Sequence, residues 1–432
     1  MKGLLIAAPA SGSGKTTVTL GLLRALRDLG VEIAPAKAGP DYIDPAYHAV
    51  ASGAPCLNLD AWAMRRDLIS ALAARHTESA KLLVVEGMMG LFDGAIDGRG
   101  SAADLATHLS LPVILVVDCT RQSHSIAALV SGFRDFRRNV MIAGLILNRV
   151  GSARHEAMLR SALEPVGIPV IGVLPRDPRL QLPERHLGLV QAGEHADLDA
   201  FVDYAAALIG KSVDLKRLEQ IAGSYGPSAS MANVARVPPL GQRVAVAYDN
   251  AFAFSYLHLL DGWRRRGAEI HLFSPLADEA PPTGCDAVYL PGGYPELHAG
   301  KLASASAFTA GMCEAALSGM PIYGECGGYM VLGTSIEDAE GVAHRMLGLL
   351  PVETSFARRK LHLGYRRLTP LAASPFAASL TAHEFHYASI VHEGDAPRLF
   401  RVSDALGEDL GEAGLRVGSV SGSYMHIIDL AG

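Results

Sequence analysis

Short runs made almost wholly of apolar residues punctuate the first half of the chain: Leu82 to Val85, Val113 to Val117, Ala143 to Leu147 and Val170 to Leu174. Helix-length amphipathic stretches separate them. A strand with one wet face alternates apolar and polar residues, whereas these runs do not, so they predict strands of a parallel sheet covered on both faces. The segment up to about residue 210 therefore reads as α/β. Between Gly223 and Gly241 the chain reads GSYGPSASMANVARVPPLG, without apolar periodicity, which is the composition of a linker. A second set of apolar runs follows: Val244 to Ala247, Ile270 to Phe273, Ala287 to Leu290 and Pro321 to Tyr323. The expected organisation is a first α/β domain over 1–222, a linker over 223–241 and a second α/β domain over 242–432. No internal repeat or low-complexity segment interrupts it.

Composition narrows the function class. The 432 residues are 49% hydrophobic and 19% charged, which excludes disorder, collagen and coiled coil. Lys+Arg 38 against Asp+Glu 44 gives a net charge of -6, with no basic block, so neither nucleic acid nor an anionic membrane is the expected partner. The 5 cysteines are scattered without a CxxC pair, so no disulfide framework or zinc site is legible and a reducing, cytoplasmic compartment is expected. No stretch reaches the roughly 18 apolar residues of a membrane span. The short apolar start, Met1 to Ala8, runs directly into a glycine-rich loop and reads as a buried first strand rather than a leader.

That loop, Ala8-Pro9-Ala10-Ser11-Gly12-Ser13-Gly14-Lys15-Thr16-Thr17, lies between a strand and the helical stretch Val18 to Leu29. Small residues let backbone N–H groups approach phosphates, the helix N-terminus adds positive potential, Lys15 can reach the β and γ phosphates, and the Thr16 hydroxyl can ligate Mg²⁺. Pro9 replaces the first Gly of the usual GxxxxGK[ST] pattern, while GSGKTT is intact. Glu86 ends the run beginning at Leu82 and offers a carboxylate at the carboxyl edge of the sheet, where ligands of open α/β folds bind. Lys37, Asp41 and Asp44 share one loop, and Asp93 lies in the GLFDG segment after Glu86. Turn chemistry alone can place such residues, but beside a phosphate loop they point to a metal and substrate site.

In the second half Gly324-Glu325-Cys326-Gly327-Gly328 has the form of a nucleophile elbow with sulfur in place of oxygen. Cys326 is the candidate nucleophile, and the helix expected to follow it should lower its thiol pKa. The other cysteines read as small buried hydrophobes. His426, in Ser423-Tyr424-Met425-His426, is the candidate base; His383 and His386 of HEFHY compete with it. That spacing is not HExxH, so a zinc peptidase is rejected. Gly292-Gly293 ends another strand and suits an oxyanion hole formed by the Gly293 and Gly327 N–H groups.

Taken together, APASGSGKTT, KAGPDYIDP, EGMMGLFDG, LNRVG, LPGGYPE, GECGGYM, HEFHY and GSYMH occur in an order that resembles the cobyrinic acid a,c-diamide synthase family, glutamine-dependent amidotransferases of corrinoid biosynthesis. The resemblance covers essentially the whole chain. It implies a dethiobiotin-synthetase-like P-loop domain with a parallel sheet, joined to a class I glutamine amidotransferase-like α/β domain. It further implies that Gly12, Ser13, Gly14, Lys15, Thr16 and Thr17 bind ATP, with Asn148 and Pro175 near the adenine. Thr16 and Glu86 would hold Mg²⁺, and Lys37, Asp41, Tyr42, Asp44 and Asp93 would line the substrate side. Cys326 would attack glutamine with His426 as its base, and the substrates would be ATP, glutamine and a corrinoid. The wider class I group ends its triad His-x-Glu, but here the sequence reads His426-Ile427-Ile428, so the orienting acid is missing at that position.

Three alternatives differ in class or substrate. A partition-type switch ATPase would carry a signature lysine where Pro9-Ala10-Ser11 stands. A binding module with a dead glutaminase half would not need both Cys326 and His426. Cobyric acid synthase would amidate other corrinoid carboxylates, and the KAGPDYIDP and HEFHY segments are more similar to the a,c-diamide branch. A homodimer is compatible with the sequence, which does not specify oligomeric state.

Overall fold

A computed structural model describes residues 2–185, 188–195, 197–224 and 234–432. Residues 225–233 of the expected linker lie outside the described residues. The first two linker residues do not behave as linker: Gly223–Ser224 pairs antiparallel with the N-terminal strand. The chain divides into two compact units, one comprising Met1–Trp62 and Arg66–Val234, the other Ala63–Arg65 and Ala235–Gly432.

The first unit is built on a parallel sheet. Its strands are β1 (Lys2–Ala7), β2 (Ile33–Ala38), β3 (Leu57–Leu59), β4 (Leu82–Glu86), β5 (Val113–Asp118), β6 (Ile142–Val150) and β7 (Val170–Pro175), in the spatial order β3-β2-β4-β1-β5-β6-β7. Ile114, Leu115 and Val116 are fully buried, as the runs without alternation require. Helix α1 (Lys15–Asp28) follows β1 after a loop of seven residues, Ala8 to Gly14. Its buried Arg24 donates to the Ala51 and Val50 carbonyls and pairs with Asp199 and Asp203, fixing α1 against its helical neighbours. Helix α2 (Asp44–Ser52) follows β2 and buries Tyr47 and His48.

In the second unit β8 (Arg243–Ala247), β9 (Glu269–Phe273), β10 (Ala287–Leu290) and β11 (Ile322–Glu325) are parallel, as the apolar runs predict. The sheet then continues into strands with no such runs: β12 (His362–Pro370), β13 (Leu380–His386), β14 (Arg398–Ser403), β15 (Asp409–Val417), β16 (Val420–Ser423) and β17 (Met425–Leu430). The full order is β9-β8-β10-β11-β16-β15-β14-β12-β13-β17, antiparallel from β16 onward. Only Tyr424 separates β16 from β17. The sheet therefore curls until its last strand stands beside the parallel half, and that curl sets β13 and β17 against the end of β11. Strands 335–337, 343–345, 352–355 and 389–393 form a smaller sheet at the side.

Leu115, unexposed and paired between β1 and β6, tests the first core. Leu115→Ala should lower the unfolding free energy by about 2–5 kcal/mol in urea titration, whereas Leu29→Ala on the surface should change it by less than about 0.5 kcal/mol. A loss below about 1 kcal/mol at Leu115 would contradict the packing described.

Candidate active sites

The glycine-rich loop turns from β1 into α1 with Gly14 in the left-handed region, φ 81°. A Cβ there would stand 2.3 Å from Asn148 Nδ2, so glycine is required both by φ and by close approach. Asn148, at the end of β6, donates to the Ser13 carbonyl at 2.9 Å, and Arg149 donates to the Gly12 carbonyl at 2.9 Å while pairing with Asp118. The loop is thus held from the β6 edge, with its mouth toward a cavity of about 320 Å³ whose walls include Gly14, Thr17, Asn148, Pro175, Leu208 and Ile209. A second recess of about 450 Å³ shares Gly14, Thr17 and Arg149 and takes in Gly12, Lys15 and Thr16. A slot lined by both apolar side chains (Leu174, Pro175, Leu208, Ile209) and polar ones (Asn148, Arg149, Asp177, Gln181), joined to the recess beside the loop, suits a nucleotide base with its phosphates.

Behind the loop lies Glu86, completely buried at the end of β4. Its Oε1 accepts from Thr16 Oγ1 at 2.7 Å, Lys37 Nζ at 2.9 Å and Lys15 Nζ at 3.0 Å, and its Oε2 lies 2.6 Å from His48 Nε2. Burial works against its ionisation, but Lys15, Lys37 and His48 outweigh that and hold the carboxyl well below its usual range. Lys37 also pairs with Asp44, and with Asp41 at 3.6 Å. Burial opposes its charge too, yet Asp44, Glu86 and Asp41 keep the ammonium well above its ordinary value. Asp44 is pushed up to about 6 by burial and by Asp41, against the pull of Lys37. Burial lowers Lys15.

Lys37, Asp41 and Asp44 therefore belong to one network with Glu86. Asp41 turns Oδ1 back to the N–H groups of Ile43 and Asp44, at the start of α2. Tyr42 is half-buried, and Asp93 is exposed with Oδ2 accepting the Gly90 N–H at 2.8 Å. His48 was not legible as a site residue. It lies four residues after Asp44 on α2, and only the pairing of β4 with β2 shows that this spacing aims it at Glu86. Its Nδ1 is 3.5 Å from Cys56 Sγ. Thr16 Oγ1 and Glu86 Oε1 are two hard oxygen donors in contact beside the phosphate recess, a donor set that fits Mg²⁺, which takes few protein ligands and keeps phosphate and water.

In the second unit Cys326 stands between β11 and the helix Gly327–Leu332 with φ 45° and ψ -103°, a conformation costing about 1–3 kcal/mol for a residue with a Cβ. The Cys326 N–H donates to the Ser423 carbonyl at 2.8 Å, and Gly328 N–H to that of Pro291 at 3.1 Å, which fixes the turn. A Cβ on Gly292 would lie 2.3 Å from His426 Cε1 and 3.3 Å from Cys326 Cβ, so glycine at 292 admits the imidazole beside the cysteine. A Cβ on Gly327 would stand 2.9 Å from the Gly293 nitrogen, which brings the two candidate oxyanion donors together.

The expected lowering of the thiol pKa is not found. Burial raises Cys326 well above its usual value, and Glu296, Glu325 and Glu384 add to this; the Gly327 N–H opposes them without prevailing. A helix of six residues cannot offset burial and three carboxylates. His426 is pushed down to about 3 by burial, with His383 and His386 contributing. The resting pair is therefore a thiol and a neutral imidazole.

His383 stands opposite His426 across the β13–β17 pairing and packs edge-on against Tyr365 and Phe385. His386 has both nitrogens engaged: Nδ1 is 3.0 Å from the Ala388 carbonyl and Nε2 is 3.0 Å from Glu384 Oε1. Glu384 also binds Arg366 at 2.7 Å. His362, Glu384 and His386 cluster closely enough to suggest a metal, but Arg366 already balances the carboxylate, so the group reads as a salt-bridge network. Another residue missed in the sequence is Glu325, whose Oε2 lies 3.9 Å from His426 Nδ1. All 5 cysteines are free, and among the described residues no helix is long and apolar enough to cross a membrane.

Residues 4–190 match the CobQ/CobB/MinD/ParA nucleotide binding domain, and residues 243–431 match the CobB/CobQ-like glutamine amidotransferase domain. The P-loop unit and the cysteine-elbow unit thus define a nucleotide-binding, glutamine-dependent amidotransferase. Relatives are similar along their whole length. A Brucella anthropi protein named hydrogenobyrinate a,c-diamide synthase is 69% identical, with 100% of this chain and 99% of that protein covered. Proteins of the same name from Rhizobium meliloti, 60% identical with 100% of both chains covered, and Mesorhizobium japonicum, 51% identical over 99% of this chain and 98% of that one, agree with it. The chain belongs to the hydrogenobyrinate a,c-diamide synthase family.

A histidine neutral in the folded state but titrating near 6.5 when unfolded removes stability as pH falls through about 6.5. The His426 Cε1–H resonance of labelled protein, assigned by its loss in His426→Asn, should stay constant from pH 5 to 7. A midpoint between 6 and 7 would contradict the buried neutral imidazole.

Proposed function

We propose that this protein amidates the a and c carboxylates of hydrogenobyrinate in the cytoplasm, using ATP with Mg²⁺ and nitrogen released from glutamine. The observation that carries the reading is the presence, in one chain, of a phosphate loop with Lys15 and Thr16 on Glu86 and of an elbow cysteine with His426 beside it. The name shared by its full-length relatives supports the substrate.

In the first unit the substrate carboxylate attacks the γ-phosphorus of ATP, giving an acyl phosphate and ADP. Ammonia then displaces phosphate to leave the amide. Gly12 to Thr17 cradle the phosphates, Lys15 stabilises charge on the transferring group, and the base occupies the slot between Asn148 and Pro175. Thr16 and Glu86 would hold Mg²⁺, which supplies charge neutralisation on the phosphates. Lys37 acts through the Glu86 network. Asp41, Tyr42 and Asp44 border that network, and Asp93 faces solvent on the substrate side.

In the second unit His426 takes the thiol proton as Cys326 Sγ attacks the glutamine carboxamide. The Gly293 and Gly327 N–H groups hold the oxyanion, the proton passes to the leaving nitrogen as ammonia departs, and water cleaves the thioester to glutamate. One phosphate loop and one elbow cysteine must act twice for two amides, with one ATP and one glutamine for each. Cobyric acid synthase chemistry on other corrinoid carboxylates is the second reading, and the relatives' shared name favours the first.

Lys15→Ala should reduce synthesis more than about 10³-fold with either glutamine or ammonium as nitrogen source. Cys326→Ala should abolish synthesis from glutamine and keep synthesis from ammonium, with His426→Asn resembling it. Product masses decide both, and loss of both activities in folded Cys326→Ala would refute separable half-reactions. Offered both rings, the enzyme should convert cobalt-free hydrogenobyrinate faster than cobyrinate; conversion of neither would overturn the substrate.

A further inference from the structure

No acid follows His426 at the second position, where Ile428 stands. The fold brings one from another direction. Glu325, the last residue of β11 and the chain neighbour of Cys326, is 2% exposed, and its Oε2 lies 3.9 Å from His426 Nδ1. The carboxyl is anchored on two sides: Tyr289 OH donates to Oε2 at 2.8 Å, and the Ile427 N–H, next to His426, donates to Oε1 at 3.2 Å. The imidazole and the cysteine share the space at Gly292, where a Cβ would lie 3.2 Å from His426 Nε2 and 3.3 Å from Cys326 Cβ. A carboxyl on the Nδ1 side of a histidine whose Nε2 borders the same glycine as the nucleophile is the arrangement a histidine base requires.

We propose that Glu325 is the positioning residue of the glutaminase site, receiving the Nδ1–H of His426 when the imidazole takes the thiol proton. The proposal rests on the glutaminase reading of Cys326 and His426. The proton balance is simple. It passes from Cys326 Sγ to His426 Nε2 and then to the departing nitrogen, while Glu325 neither gains nor loses one during turnover. A carboxylate on the Nδ1 side stabilises an imidazolium in a buried site, and the 3.9 Å separation reaches hydrogen-bond distance with a shift of about 1 Å.

The arrangement also makes hydrolysis depend on the charge of Glu325. The ionisable groups facing it are Tyr289 and Tyr323 from the parallel strands, Cys326 from the elbow and His426 from β17. Burial raises Glu325 to about 8, while the Tyr289 and Ile427 donors pull it down. The carboxylate that supports the imidazolium therefore forms as pH rises, and wild-type glutamine hydrolysis should climb through a limb near pH 8.

Glu325→Gln keeps the size and an acceptor for Ile427. It should lower kcat for glutamine hydrolysis about 10²-fold with KM within threefold, lose the limb near pH 8, and leave ammonium-dependent synthesis within twofold of wild type. Glu325→Asp, which retains a carboxylate, should hydrolyse at least fivefold faster than the Gln variant. Hydrolysis by Glu325→Gln within threefold of wild type, or with the limb intact, would overturn the proposal. So would loss of ammonium-dependent synthesis together with folding in both variants, which would make Glu325 a packing residue. If Cys326→Ala itself still hydrolyses glutamine, the glutaminase reading fails instead.

Discussion

A carboxylate with no access to water must have its charge met from within, and at Glu86 three chain segments supply the donors. Lys15 and Thr16 come from the phosphate loop, Lys37 from the end of β2 and His48 from α2. Removing one partner from such a buried set typically costs about 3–5 kcal/mol, because the remaining charge is left uncompensated. The same contacts that make the ion tolerable therefore fix the loop lysine and hydroxyl at one spot on the carboxyl edge of the sheet. Asp41 and Asp44 extend the network by balancing Lys37.

The second unit meets the cost of burial differently. Its thiol and imidazole stay neutral at rest, and its nearest buried acid, Glu325, is shifted toward the neutral form by the same desolvation. Charge on the cysteine–histidine pair then arises only as the thiol proton moves. Backbone strain at Cys326, the close approach allowed at Gly292 and the curl that returns β17 to the elbow all serve to bring neutral groups together before that step.

The parallel strands and the two glycine-rich turns were legible because their signals are local. Val113 to Val117 is apolar at each position, and GSGKTT and GECGG each sit between a strand and a helix. The antiparallel half was not legible. His362–Pro370 and Asp409–Val417 carry many polar or charged residues and are only partly buried, so neither period nor apolarity marks them as strands. His48 and Glu325 escaped for a related reason: each reaches its partner through strand register or a turn and not through a recognisable spacing. The thiol expectation failed because a rule about helix ends ignored the burial of the thiol, and with it the carboxylates at 296, 325 and 384, both of which only the tertiary fold sets.

Two chemistries are joined by the nitrogen atom that passes between them, so the fate of that atom is the most direct measurement. Glutamine labelled with ¹⁵N in its side-chain amide, incubated with hydrogenobyrinate, ATP, Mg²⁺ and the intact protein, should yield a product carrying two ¹⁵N amides, with two ATP cleaved per product formed. A product without ¹⁵N, or glutamine and ATP consumed with no change in the ring's carboxylates, would contradict it.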